Sequence, residues 1–325
     1  MPAASPIPFE EFMRRALHDP QHGYYARRIT SIGRRGDFTT APMLSPAPAK
    51  AIASWAVRTL HQSGCRDLIE IGPGSGQLAA AVRQHLPWLV RRRTRLHLVE
   101  TSPPLEKLQR GLLGRQARWH ASPAAALAAC AGRAVIFSNE LVDAFPVRRF
   151  QQGPDGWREL AVSFEADGQV RESLLAPAPL PESSGFSVLH PPGQWIEVHH
   201  SYHLWLTGWL PHWNAGSMLT LDYGATAEAL YQRRPQGSLR AYLMQQRLEG
   251  PAIYQNPGRQ DLTADVNFTD LMGWGEPRAT APQLLTLAAF LRGFIDPTKP
   301  EDRALSDENG AGAAILVLEQ KCAAR

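Results

Sequence analysis

The stretch Leu68-Ile69-Glu70-Ile71-Gly72-Pro73-Gly74-Ser75-Gly76-Gln77 constrains this chain more than any other part of it. A short apolar strand pattern runs into three glycines spaced two apart, and a helical pattern over Gln77–Leu86 follows at once. Such a turn must reverse the chain sharply and bring bare backbone close to a ligand, which glycine permits because it reaches positive φ without a Cβ penalty. A strand, a glycine turn and a helix N-terminus are the opening unit of a doubly wound α/β sheet. That arrangement puts a ligand at the carboxyl end of the strand.

Strand and helix then alternate. Leu96–Val99 predicts a second strand, Leu105–Leu113 a helix, Arg118–His120 a weak strand, 123–130 an alanine-rich helix and Ala134–Phe137 a fourth strand. This order predicts an α/β fold, a mainly parallel doubly wound sheet with helices on both faces. Upstream, Phe9, Phe12, Met13, Ala16 and Leu17 repeat at helical spacing over 8–18, and a second helix starting at Ser45-Pro46 carries Ile52, Trp55, Ala56 and Leu60 inward. Downstream, Val147–Phe150, Trp157–Phe164 and Val170–Leu175 read as a β-meander. A helix over 197–213 carries Trp205, Trp209 and Trp213, read as core in preference to a partner-facing stripe. Met218–Leu221 reads as a strand, Leu284–Phe294 as a helix and Ala314–Leu318 as a last strand. The expected organisation is an N-terminal helical and loop-rich extension (1–64), the first part of the α/β domain (65–146), an inserted β-meander and helix (147–215), and the rest of the domain with a further insertion (216–325).

Composition narrows the partners. With 34 basic against 30 acidic residues the formal charge is +4, too even to point to nucleic acid. The run Arg91-Arg92-Arg93-Thr94-Arg95 is expected to be a solvated loop between a helix and a strand. Cys65, Cys130 and Cys322 have neither metal-ligand nor disulfide spacing, so no metal is expected and a reducing compartment fits. No basic-then-apolar leader is visible, and no apolar run approaches the roughly 20 residues that span a bilayer. The expectation is a cytoplasmic protein without a membrane span.

The glycine turn has competing readings. A dinucleotide site wants Gly-x-Gly-x-x-Gly, but Gln77 stands where the third glycine would be. Gly72, Gly74 and Gly76 behind Glu70 instead fit the class I methyltransferase pattern, whose ligand, S-adenosylmethionine (SAM), is a nucleoside carrying an amino acid. A plain tight turn and a nicotinamide or flavin site remain open beside it. Glu100 ends the second strand, where a carboxylate can accept from both ribose hydroxyls. Asn139, Glu140 and Asp143 follow the fourth strand, and Asp222-Tyr223-Gly224 the fifth. These polar residues stand where an acceptor would lie, although helix caps and an ordinary Asp-x-Gly turn would also use them.

Several segments together resemble the MidA-like methyltransferases: the glycine turn, Asn139-Glu140-Leu141-Val142-Asp143-Ala144-Phe145-Pro146, Leu221-Asp222-Tyr223-Gly224 and Gly237-Ser238-Leu239-Arg240-Ala241-Tyr242. Pro20-x-x-Gly23-Tyr24-Tyr25, Gly36-Asp37-Phe38-Thr39-Thr40-Ala41-Pro42 and Pro257-Gly258-x-x-Asp261-Leu262-Thr263 agree as well. The family includes a mitochondrial complex I assembly factor that methylates an arginine of a partner subunit. The resemblance implies a Rossmann-like SAM-binding domain and a protein-arginine acceptor. It also implies Glu70, Gly72, Gly74, Gly76, Glu100 and Asn139 as cofactor residues, and Glu140, Asp143 and Asp222, with Glu197 as a further candidate, on the acceptor side. A homodimer is a further expectation. Two stretches depart from the family's pattern. Leu243-Met244-Gln245-Gln246 stands where a histidine or two is usual, and Asp265-Val266-Asn267-Phe268 where His-Val-Asp-Phe is usual. They raise the alternative of a SAM-binding assembly factor with little catalysis.

Overall fold

The five residues Asp67–Ile71 form a strand, β1, with every side chain buried, as a parallel sheet covered on both faces requires. A computed structural model describes residues 5–27, 45–165, 169–244, 246–308 and 310–323. The Gly36–Pro42 motif and Gln245 lie outside the described residues. The chain divides into two units. One comprises Met1–Ile29, Val142–Trp205 and Gly224–Leu271, the other Thr30–Leu141, Leu206–Tyr223 and Met272–Arg325.

The second unit holds the main sheet. Its strands are β1, β2 (Arg95–Val99), β3 (Ala117–His120), β4 (Val135–Asn139), β5 (Ser217–Ala225), β6 (Ala279–Thr286) and β7 (Ile315–Cys322), in the order β6-β7-β5-β4-β1-β2-β3. The pairs from β5 through β3 are parallel, while β7 pairs antiparallel with β5 and β6. The chain thus moves outward from β1 through β2 to β3, then returns to β4 on the other side of β1. That reversal between β1 and β4 is where open α/β sheets take their ligands. Leu68, Val135, Phe137, Leu219 and Leu221 meet Ile52, Trp55 and Ala56 of the helix Ala47–Ser63 and Ala79 and Val82 of the helix Gln77–His85 in one core.

Three local expectations are corrected. Leu284–Phe294 is mostly not helix: Leu284 and Leu285 belong to β6, opposite Leu318 and Val317, and only Leu287–Phe290 is helical. Ladder bonds to β7 satisfy that backbone more fully than an isolated helix there would, so local periodicity loses. The 197–213 segment is strand up to Val198 and α-helix only over His200–Trp209. Trp209 and Trp213 are buried, in keeping with the core reading. Arg91, Arg92 and Arg93 close a short helix, Trp88–Arg93, where they face its negative carbonyl end, and Arg95 opens β2 with a two-bond pairing to Asp67.

In the first unit, Ile7–Pro8, Gly156–Phe164, Arg148–Gly153 and Trp195–Val198 form an antiparallel sheet in that order, with Val170–Leu174 beside Gly156–Phe164. The helix Phe9–His18 buries Phe9, Phe12, Met13, Ala16 and Leu17, with Phe12 against Tyr254 at 5.3 Å between rings. Arg240–Leu243, Gln246–Leu248 and Asp261–Thr263 form a second small sheet. Among the described residues no helix is long and apolar enough to cross a membrane.

Candidate functional site

The glycine turn leaves β1 through three left-handed residues, Gly72, Gly74 and Gly76, with φ of 67°, 55° and 81°. Each is a conformation that an L side chain reaches only with strain. Gly72 N–H donates to the Val99 carbonyl at 3.1 Å and Gly76 N–H to the Pro73 carbonyl at 2.8 Å, so the turn is pinned to β2 and to itself. A Cβ on Gly72 would meet Leu141 at 2.6 Å and one on Gly76 would meet Gln109 at 3.0 Å. The bare backbone there admits two of the protein's own side chains.

Two acids sit at the ends of β1 and β2. Glu70 is buried, and its Oε2 has no hydrogen-bond partner among the described residues. Burial, with Glu100 nearby as a second cause, pushes its carboxyl up to about 8. Glu100 Oε1 accepts from the Thr101 and Ser102 amides, both at 2.8 Å, and its Oε2 from Gln109 Nε2 at 2.9 Å. Burial raises the Glu100 carboxyl above its ordinary value, and the Ser102 and Gln109 bonds pull against it. A buried acceptor atom without a partner, beside a second carboxylate already oriented by three donors, fits a ligand that brings hydroxyl and cationic amino donors.

The ends of β4 and β5 carry the next cluster. Asn139 closes β4, and its Nδ2 donates to Glu140 Oε1 at 3.3 Å. Glu140 holds φ of 50°, and its N–H donates to the Leu221 carbonyl at 2.9 Å. A non-glycine residue there stores strain that the surrounding ladder must sustain, a pattern that concentrates at functional sites. Asp222 is fully buried and accepts from the Leu141 amide at 3.1 Å and the Tyr223 amide at 2.9 Å. Asp222-Tyr223-Gly224 is no turn; it continues β5. Glu70, Gly72, Gly74, Gly76, Glu100, Asn139, Glu140 and Asp222 therefore all lie in the sheet unit, at the carboxyl ends of β1, β2, β4 and β5 or the turn that follows.

Asp143 and Glu197 belong to the other unit. There Asp143 is buried, and its carbonyl accepts from Ala264 N–H at 3.2 Å. Glu197 takes Arg149 at 3.1 Å and the Ser238 amide at 2.8 Å. Asp265 pairs with Arg240 and, at 3.2 Å, with Arg234. Tyr25 donates to Asp261 at 2.9 Å. Sequence reasoning did not single out Gln109 or Leu141. The available signal was Leu105, Gln109 and Leu113 at spacing four, which puts an amide on the inward face of an otherwise apolar helix stripe.

A mixed sheet in this order, parallel from β5 through β3, with a left-handed glycine turn and acidic strand ends at its switch point, is consistent with the class I methyltransferase fold. A family model described as "Putative S-adenosyl-L-methionine-dependent methyltransferase" matches residues 51–283. The chain belongs to this family, and its cofactor is SAM. A crystal structure of a Burkholderia thailandensis protein bound to S-adenosyl-homocysteine superposes with a TM-score of 0.85 at 28% identity, covering 97% of this chain and 88% of that one. The Drosophila melanogaster mitochondrial protein arginine methyltransferase NDUFAF7 homolog is 28% identical over 82% of this chain and 66% of its own length. Human mitochondrial protein arginine methyltransferase NDUFAF7 is 28% identical over 86% of this chain and 68% of its own. The chain thus spans about two thirds of these curated relatives.

Proposed function

We propose that this protein transfers a methyl group from SAM to an arginine side chain of a protein acceptor. The observation that carries the reading is Glu140, a carboxylate held at positive φ at the end of β4, beside the switch point of a SAM-family sheet. The fly and human relatives, both named protein arginine methyltransferases, supply the acceptor class. Bound SAM supplies an electrophilic sulfonium methyl with its leaving group attached, so the protein's task is mainly alignment. Glu70, Gly72, Gly74, Gly76, Glu100 and Asn139 hold the cofactor, with Glu100 on the ribose. Glu140 orients the acceptor guanidinium by charge-assisted bonds and takes the proton its nitrogen loses as the N–C bond forms. Asp143 is a second acidic candidate, examined by Asp143→Asn in the same assay. Asp222 supports the site through the Leu141 amide. The proposed domain limits remain 1–64, 65–146, 147–215 and 216–325, and the proposed compartment is the cytoplasm. Sedimentation of the purified protein reads the expected homodimer.

Glu140→Gln is expected to keep SAM affinity while lowering transfer to the acceptor by on the order of a hundredfold, the effect of removing one aligned electrostatic group. Full transfer by that variant in a labelled-SAM assay would remove Glu140 from the mechanism. Glu100→Ala is expected to weaken SAM binding by about 1–3 kcal/mol, since two charge-assisted bonds are lost. Unchanged affinity by calorimetry would end its ribose role.

A second reading, a SAM-binding assembly factor with little turnover, is favoured by Asp265. It stands where the family usually carries histidine, and it is engaged by Arg240 and Arg234. Single-turnover assays on arginine-bearing peptides separate the two: no labelled peptide from a protein that binds SAM supports the assembly factor.

A further inference from the structure

Gln109 lies on the helix Pro103–Leu113 and is fully inaccessible, yet both its amide nitrogen and its amide oxygen are hydrogen-bonded. Its Nε2 donates to the Gly74 carbonyl at 2.7 Å and to Glu100 Oε2 at 2.9 Å. Its Oε1 accepts from the Trp119 indole N–H at 2.9 Å. Its stem fills the space that a Cβ on Gly76 would take. One side chain therefore touches two glycines of the turn and the acid on the neighbouring strand.

The orientation of this amide is decided by Trp119. An indole N–H can only donate, so it fixes the oxygen of Gln109 toward β3 and leaves the NH2 to face Gly74 and Glu100. Arg110 stacks over the same indole ring at 4.3 Å, which holds the ring in place from the outside. Were the amide reversed, its oxygen would face a carbonyl and a carboxylate, and both contacts would turn repulsive.

We infer that Gln109 is the positioning residue of the cofactor site, a clamp that ties the glycine turn to Glu100 and is locked in orientation by Trp119. It acts through Glu100 and Gly74. This rests on the assignment of the Glu70–Gly76 turn and Glu100 to SAM. Glu100 is a half-buried carboxylate that must keep one rotamer to accept from two ribose hydroxyls. The backbone amides of Thr101 and Ser102 fix Oε1, and Gln109 fixes Oε2. Without Gln109 the carboxylate pivots about Oε1, and the Gly74 carbonyl loses a side-chain donor.

A double-mutant cycle tests the clamp. SAM affinity is measured by calorimetry on the full chain for wild type, Gln109→Leu, Glu100→Ala and the double variant, with thermal melts to verify folding. Gln109→Leu, which keeps the buried volume, is expected to weaken binding about tenfold, the loss of a charge-assisted bond. In the Glu100→Ala background the same change is expected to cost about twofold or less, because the interaction it served is gone. Equal costs in both backgrounds would show a merely structural glutamine and overturn the inference. Trp119→Phe leaves Gln109 in place and removes only the lock. It is expected to weaken binding about threefold with Glu100 present and not at all without it, and wild-type affinity in Trp119→Phe would overturn the locking step. If Glu100→Ala itself binds SAM like wild type, the cofactor assignment fails, an outcome distinct from failure of the clamp.

Discussion

Gly224→Ala is expected to lower the melting temperature by about 6–12 °C, the shift that a loss of about 3 kcal/mol produces in a domain of this size. Gly224 has φ of 156° and stands opposite Val266 in a parallel ladder. A Cβ built on it would lie 2.0 Å from the Val266 carbonyl oxygen and 2.8 Å from the Val266 carbonyl carbon and amide nitrogen. All three contacts are backbone, so no rotamer change relieves them. The strand Val266–Asn267 would have to move, and with it the ladder that holds it. A thermal melt of the variant within about 1 °C of wild type would show that the ladder yields freely. The Asp222-Tyr223-Gly224 motif therefore contains two different constraints. Asp222 contributes its carboxylate, which braces two backbone amides, and Gly224 contributes the lack of a side chain.

Glu70→Gln is expected to change how stability depends on pH. The Glu70 carboxyl is pushed up to about 8 from an ordinary 4.5. Between those values the folded protein keeps a proton that the unfolded chain has released, so the folded state binds more protons and stability falls as pH rises. The contribution is fully present below about 4.5 and is lost by about 8. Glutamine does not titrate and fills nearly the same volume. The variant should therefore match wild type near pH 5 and exceed it by on the order of 3–5 kcal/mol near pH 8. Denaturant unfolding of the SAM-free protein at pH 5, 6.5 and 8 reads this difference directly. Parallel curves for the two proteins would mean that Glu70 is ionised in the folded state throughout. The same shift makes Glu70 a weak attractant for cations at neutral pH until one is placed beside it, when the proton leaves. Calorimetry of SAM binding near pH 7 in buffers of different ionisation enthalpy should accordingly detect proton release in wild type and less in Glu70→Gln.

The sheet unit was legible because its signals are local and mutually consistent. Leu68–Ile71 has to be buried on both faces, the glycines have to turn, and Gln77–Leu86 has helical spacing, so three short-range patterns specify one β-α unit. Glu100 and Asn139 were legible only as strand ends, and they gained meaning from their place after the turn. The aromatic segment from Trp195 was harder. Residues 195–198 have apolar content that suits either period, and strand pairing with Arg148–Gln151 decided for β. Leu284 and Leu285 went the same way, since the unpaired edge of β7 supplied hydrogen bonds that a helix pattern cannot anticipate.

The glycine turn marks the divide. The sequence by itself determined that Gly72, Gly74 and Gly76 would turn the chain at the end of an apolar strand, and that Gln77 leaves no room for the dinucleotide spacing. Conformational freedom is a property of the residue, so it can be read from the letter. Only the tertiary structure decided what fills the space the glycines leave. Leu141, 69 positions downstream of Gly72, and Gln109, 33 downstream of Gly76, arrive there through the packing of β4 and of the helix Pro103–Leu113. Contacts of that sequence separation depend on how the strands order themselves around β1, and no local pattern along the chain encodes that order.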